Sequence, residues 1–390
     1  MKYWRGYIAA AMLAAVSWAL VAFSKSHTAL VDMVYPYLSR IIQDFLGHWS
    51  AGVDFCLWQV LAVLLGVGFL TTIVLMILMK WNFFQWLGWV LTGVMLLVTL
   101  HVGIYGLNYY SGPLAEDIRL TVSEYNITEL AEATTWYRDK ANELATQVPR
   151  DENGKPKYPS FEEMAITAAD GFHTLTYEKT YAVFSGVTDP VKKLGWTDMY
   201  TSMGISGVTI PFTGEAAVNP DTPVVALPFT MCHEMCHRMC IAIERDANLG
   251  AYLACQANDD PIFQYSGYFM AFRYCYNLLA SKGTTTADNA AAEIYAGINT
   301  QLMGDLNDYR AYYDESVDEK QSDFANDVND RYIKFSGDES GISSYGEVAD
   351  LLVSWYIQEI YLPEHKDQQQ GFDPLDKTKV DLTTSAVPGA

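Results

Sequence analysis

The chain has 390 residues and carries 25 Lys and Arg against 46 Asp and Glu, a formal net charge of −21. That length accommodates a membrane segment plus one large globular domain. The charge is unevenly placed: up to Asn108 five basic residues meet three acidic ones, and the rest carries net −23, which excludes a nucleic-acid-binding surface.

Three stretches, 7–23, 57–79 and 84–105, are apolar and long enough to cross a bilayer, which takes about 20 residues. None contains Asp, Glu, Lys or Arg. His101, near the end of the third, is expected as a neutral side chain at the interface. Lys2 and Arg5 precede the first stretch, and Lys80 sits in the tight turn between the second and third. Both flanks belong on the cytoplasmic side, so the N-terminus is expected inside and everything after the third stretch outside. The first stretch also resembles a cleavable signal segment ending near Ala22-Phe23-Ser24, but an uncleaved anchor is the expected reading. Between the first two stretches, 30–46 is amphipathic and is expected to lie on the membrane surface.

The organisation expected is therefore a membrane domain over 1–110, an extracytoplasmic domain over 111–363, and a polar, disordered tail over 364–390. The fold class is mainly α, with three transmembrane helices, a helical zincin-like domain and a small sheet edge. From 111 onward, 118–147 reads as a helix or helix pair, and Ser160 with Glu163 as a capped helix start. Residues 207–212 hold β-branched and aromatic residues and a Pro that suits an edge strand. A helix follows with Thr230 as its N-cap. Further helices are expected over 289–312, 316–335 and 345–362.

The helix after the strand carries His233-Glu234-Met235-Cys236-His237. Helical residues four apart lie about 40° apart in azimuth and about 6 Å along the axis, so both imidazoles reach one metal ion. Glu234 is rotated about 100° from His233. From there it acts as a general base toward a water that zinc makes acidic, without being a ligand itself. The third ligand is sought in Glu244-Arg-Asp246-Ala-Asn248. On an unbroken helix Glu244 would sit about 10 Å beyond His237, so the chain must turn back, yet no Gly or Pro marks a turn. Asp246 is the second choice, and Glu347 or Asp350 the fallback. Cys232, Cys236 and Cys240 recur at helical spacing and read as small buried residues. Glu215, Asn219 and Thr213 are weak candidates for the substrate edge, and Tyr345 or His173 for an oxyanion donor. The 26 tyrosines read as ordinary packing rather than a cage.

Pro211-Phe-Thr-Gly-Glu215-Ala-Ala-Val-Asn219, Leu227-Pro-Phe-Thr, His233-Glu-Met-Cys-His237-Arg, Glu244-Arg-Asp-Ala-Asn248, Asn329-Asp-Arg-Tyr-Ile-Lys334 and Ser344-Tyr-Gly-Glu-Val together resemble the bacterial domain-of-unknown-function family 3810. The likeness covers most of the chain. It implies N-terminal spans and a zinc-peptidase-like HExxH core, and carries no known substrate. Members usually hold Gly three residues after the second His and Glu on both sides of the Ala-Asn; here Cys240 and Asp246 stand instead. Glu244-x-x-Ala247-Asn248 also looks like the zinc-glutamate element of other membrane-associated HExxH peptidases. The expected function is thus a membrane-anchored zinc peptidase with His233, His237 and Glu244 as ligands, Glu234 as catalyst and a peptide or protein substrate. The alternative is a metal-binding sensor or scaffold without turnover.

Overall fold

A computed structural model describes residues 2–337 and 344–365; the tail expected from 364 onward lies almost wholly outside the described residues. The chain opens with α1 (Arg5–Ser26), α2 (Thr28–Ser50), α3 (Leu57–Leu78) and α4 (Phe83–Ile104). α1, α3 and α4 are long and apolar enough to cross a membrane, and they anchor the chain there. α1 and α4 pack side by side. Gly6 and Gly88 meet so closely that a Cβ on Gly6 would lie 2.5 Å from the Gly88 carbonyl carbon, and Ser17 bonds Thr99 at 2.9 Å. Small residues at such crossings let apolar helices gain dispersion contacts that lipid would otherwise supply.

The amphipathic segment 30–46 falls within α2. Its polar face docks on the rear domain: the Gln43 amide donates to the Pro211 carbonyl at 3.1 Å, and the Arg40 guanidinium donates to the Ala182 carbonyl at 3.1 Å. Ser39 donates to the Ile104 carbonyl at 2.7 Å, tying α2 to the end of α4. Thus a segment grouped with the membrane domain by sequence forms the base of the rear domain.

Beyond α4 the helices are α5 (Leu114–Asp117), α6 (Ile127–Ala145), α7 (Phe161–Tyr177), α8 (Thr197–Ser202), α9 (Leu227–Arg238), α10 (Glu244–Gln256), α11 (Pro261–Ser281), α12 (Thr285–Ala296), α13 (Thr300–Ser316), α14 (Glu319–Ser336) and α15 (Ser344–Tyr356). The capped start at Ser160 is present as a reciprocal pair with Glu163. Three expectations are corrected. Helix starts only at Ile127, not 118, because Asn126 caps it. The single helix over 289–312 is two, parted at Gly297. Thr230 is not an N-cap: the helix begins three residues earlier, with Pro228 in its first turn, and the Thr230 hydroxyl donates back to the Ala226 carbonyl.

The core gathers α6, α7, α9, α10, α11 and α15 around Tyr137, Phe172, Met231, Met235, Tyr252 and Phe269, all fully buried. Gly250 on α10 lets α9 come close; a Cβ there would sit 2.7 Å from the Cys236 sulfur. The sheet has three strands, β1 (Lys192–Lys193), β2 (Gly207–Ile210) and β3 (Glu215–Val218), in the order β1-β3-β2. β2 runs antiparallel to β3 and β1 parallel to it. β2 is therefore an edge strand and lies against α9, but it is shorter than the expected 207–212: Pro211 and Phe212 fall in the turn to β3, not in the strand.

Candidate metal centre

α9 ends at Arg238, and the chain then reverses. The Ile241 amide donates to the Cys236 carbonyl at 3.1 Å, and Cys240 adopts φ +71°, the left-handed conformation usually given to Gly. α10 begins at Glu244. The turn that lacked a Gly or Pro is made by Cys240 itself, whose sulfur is buried 3.3 Å from the Ser39 hydroxyl of α2.

This reversal brings Glu244 back to the two histidines. His233 Nε2 and His237 Nε2 lie 3.1 Å apart. Glu244 Oε2 lies 3.3 Å from the first and 3.5 Å from the second. Four ligands in a tetrahedron about 2.0–2.1 Å from zinc stand about 3.3–3.4 Å apart, so the three atoms fit three corners of such a site. Glu244 Oε2 and His233 Nδ1 are buried with no hydrogen bond in the described structure. The His237 Nδ1 bonds the Ile241 carbonyl at 2.8 Å, which fixes its tautomer and leaves Nε2 free to ligate.

The electrostatics agree with a site made for a cation. Burial alone would raise the Glu244 pKa, but His237 and His233 outweigh it and hold the carboxyl well below the usual range. Burial would lower that of His237, yet Glu244 and then Glu234 overcome it and push it up to about 9.

Glu234 is 5% exposed and does not join the triangle. Burial pushes its carboxyl above the usual range, against the pull of both histidines. Thr209 of β2 donates its hydroxyl to Glu234 Oε2 at 2.8 Å and holds the carboxylate against the strand. Gly207 makes room for it. The Tyr105 hydroxyl, one residue past α4, donates to the His237 carbonyl at 3.1 Å.

The other candidates lie elsewhere. Asp246 accepts the Leu114 amide at 3.1 Å and so ties α10 to α5. Glu347 pairs with Arg245 at 2.7 Å, and Asp350 accepts the Tyr125 hydroxyl. Glu215 is not on a substrate edge: it accepts the Leu57 and Trp58 amides, each at 2.8 Å, and so caps α3, with Lys192 at 2.7 Å beside it. Asn219 and Thr213 make turn contacts next to the sheet. His173 meets Thr188 at 3.4 Å, away from the triangle. The Tyr345 side chain lies outside the described residues.

A cleft of about 850 Å³ opens beside the triangle. One wall is β2, the other α14 with Phe324, Val328 and Tyr332, and both histidines, Glu234 and Glu244 stand on its floor. Seven of the tyrosines line it, Tyr105, Tyr109, Tyr200, Tyr274, Tyr309, Tyr313 and Tyr332, while others, such as Tyr137, Tyr252 and Tyr265, fill the core in keeping with the packing role expected of them. Gly207, Thr209 and Tyr105 were not singled out as site residues from sequence. Asn248 entered only as part of the Glu244-x-x-Ala247-Asn248 element; its Oδ1 accepts the Tyr274 hydroxyl at 3.3 Å.

A family model described as a protein of unknown function (DUF3810) matches residues 31–353. The chain belongs to this family. The matched span runs from α2 through the HExxH helix to α15, so within this member of DUF3810 the base helix and the candidate metal ligands fall under one family model. No curated protein and no solved structure matches the chain.

Proposed function

We propose that the protein is a membrane-anchored zinc metallopeptidase whose soluble domain works outside the cytoplasmic membrane. The observation that carries this reading is the convergence of His233, His237 and Glu244 within 3.5 Å at the floor of a cleft with an edge strand on one side. His233 and His237 would hold zinc through Nε2 and Glu244 through Oε2. When bound, the ion supplies Lewis acidity that polarises a peptide carbonyl and lowers the pKa of a nearby water.

The chain's own groups do the rest. Buried Glu234, whose carboxyl burial pushes above its usual range, accepts the proton of the attacking water and passes it to the leaving amine. Thr209 holds that carboxylate in place. β2 can pair its free edge with an extended peptide, so the substrate backbone is aligned by main-chain hydrogen bonds. The tyrosine-rich walls place aromatic rings with hydroxyl groups on either side of the floor, where they can contact a bound peptide.

A sensor or scaffold with a closed structural zinc calls for a fourth protein ligand. Among the described residues the cluster numbers three; Cys232 and Cys236, next to the two histidines in sequence, are buried in the core, and Cys240 is turned to Ser39. This supports the open, catalytic form.

The test is direct. The purified protein is expected to hold one equivalent of zinc, and Glu244→Ala to lose it while Glu347→Ala keeps it. Glu234→Gln should keep zinc and lose hydrolysis of a peptide library by about 10²-fold or more. Absence of stoichiometric metal, or full activity in Glu234→Gln, would overturn the reading.

A further inference from the structure

The cleft is built on the ends of the membrane helices. Trp58, second residue of α3, and Tyr105, first residue after α4, both line it. Tyr105 reaches the His237 carbonyl, so a single side chain and one hydrogen bond separate the end of a membrane helix from a candidate ligand. The site therefore does not stand off on a stalk.

α2 sets the height independently. It follows α1 after His27 alone and leads to α3 through residues 51–56. Both its ends are thus tied to the same bilayer surface. A 23-residue helix is about 35 Å long, and one held at both ends lies along that surface. Its docked face carries Ser39, Gln43 and Gly47, which are buried. Its other face presents Met33, Tyr37, Ile41, Phe45 and Trp49, spaced four apart and between 59% and 71% exposed. Such a stripe fits the headgroup and acyl boundary of a bilayer. The polar layer on one side of a membrane is only about 5–8 Å deep, so a cleft lined by the start of α3 and the end of α4, in a domain docked on α2, opens at or just above it.

We propose that the cleft takes the juxtamembrane stretch of a membrane-anchored polypeptide, in extended form, as it leaves the bilayer on the catalytic domain's side. This rests on the peptidase reading above. A chain emerging next to α4 meets β2 at once, whereas a folded soluble protein would have to enter a cleft flanked by lipid and closed on its far side by α14.

The experiment uses the full zinc-loaded chain in liposomes with three synthetic probes. Each carries the same randomised 12-residue segment. In the first it is free, in the second it is joined directly to a Leu/Ala transmembrane helix, and in the third a 25-residue Gly/Ser spacer intervenes. Products are read by mass spectrometry. The direct tether is expected to be cut within about six residues of the helix end, at least about tenfold faster than the free segment. With the spacer, cutting of the randomised segment should fall back by a similar factor, although both tethered probes are confined to the same membrane. Glu234-dependent cleavage that is equal for the free and tethered segments, or equal with and without the spacer, overturns the inference and leaves the peptidase reading intact. No cleavage of any probe removes both.

Discussion

Gly207 has no side chain where the Glu234 carboxylate lies: a Cβ there would stand 2.5 Å from Oε1 and 2.7 Å from Cγ. Strand and helix meet so closely because Thr209, two residues on, bonds both the carbonyl and the carboxylate of the same glutamate. Gly207→Ala must push Glu234 away from the cleft floor. Displacing a catalytic group by about 1 Å costs on the order of 10²-fold in rate. The three nearest atoms to a Cβ at Gly207 all belong to Glu234, not to the candidate ligands His233, His237 and Glu244, so metal content should be unchanged. Turnover measured beside metal analysis checks this; loss of zinc in Gly207→Ala would place the strand's role in folding instead.

Cys240 offers a second test, because it holds a conformation that costs a side-chain-bearing residue roughly 1–2 kcal/mol. Cys240→Gly relieves that cost and loses the buried sulfur next to Ser39. The two effects oppose each other, so stability should move by no more than about 1 kcal/mol with zinc retained. Cys240→Val puts a β-branched residue at positive φ and should destabilise by roughly 2 kcal/mol or more, with weaker zinc binding as Glu244 drifts from the histidines. Urea titration and zinc competition on the two variants separate these outcomes.

The same turn marks the limit of what the sequence can say. The HExxH spacing and three apolar stretches were legible because each is a local pattern with a fixed period. The reversal after His237 was not, since the residue that makes it is one that seldom adopts φ near +71°. α10 and α11 escaped notice for another reason. α11 buries residues on every side, so it lacks the single apolar stripe by which helices are found, and α10 opens on the polar run Glu244, Arg245 and Asp246 and buries Asp246 and Asn248 among its apolar residues. The Tyr105–His237 and Glu215–Leu57 contacts join residues 132 and 158 apart in sequence, a separation at which one chain carries no readable signal.

Glu215 gives a prediction about how the two parts of the molecule are joined. It is buried on β3, yet it accepts the first amides of α3 and the Lys192 ammonium, which also donates to the Ser50 and Phe55 carbonyls. A carboxylate at a helix N-terminus is stabilised by the helix dipole as well as by these donors. Glu215→Ala leaves Lys192 buried without its counter-charge and two amides unsatisfied, at a cost of about 3–5 kcal/mol. Combining Glu215→Gln with Lys192→Met removes both charges and should recover part of the loss. Thermal unfolding in detergent micelles reads the difference. Equal stability of Glu215→Ala and the unchanged protein would mean that the membrane helices do not brace the sheet.

The charge at the triangle predicts a pH dependence whose sign depends on metal. In the metal-free protein His237 has its pKa pushed up to about 9, above the value near 6.5 of an unfolded chain. The proton it holds against Glu244 therefore stabilises the fold fully below pH 6.5. That contribution, of a few kcal/mol at most, fades as pH rises through about 9. Metal-free protein should accordingly melt at lower temperature at pH 9 than at pH 6.5. Zinc must displace the same proton, so its affinity should rise about tenfold per pH unit over that window. The melting temperature gained on adding zinc should then be larger at pH 9 than at pH 6.5. Scanning both forms across the window checks the two signs together, and His237→Ala, which removes the proton and a ligand at once, should abolish both trends.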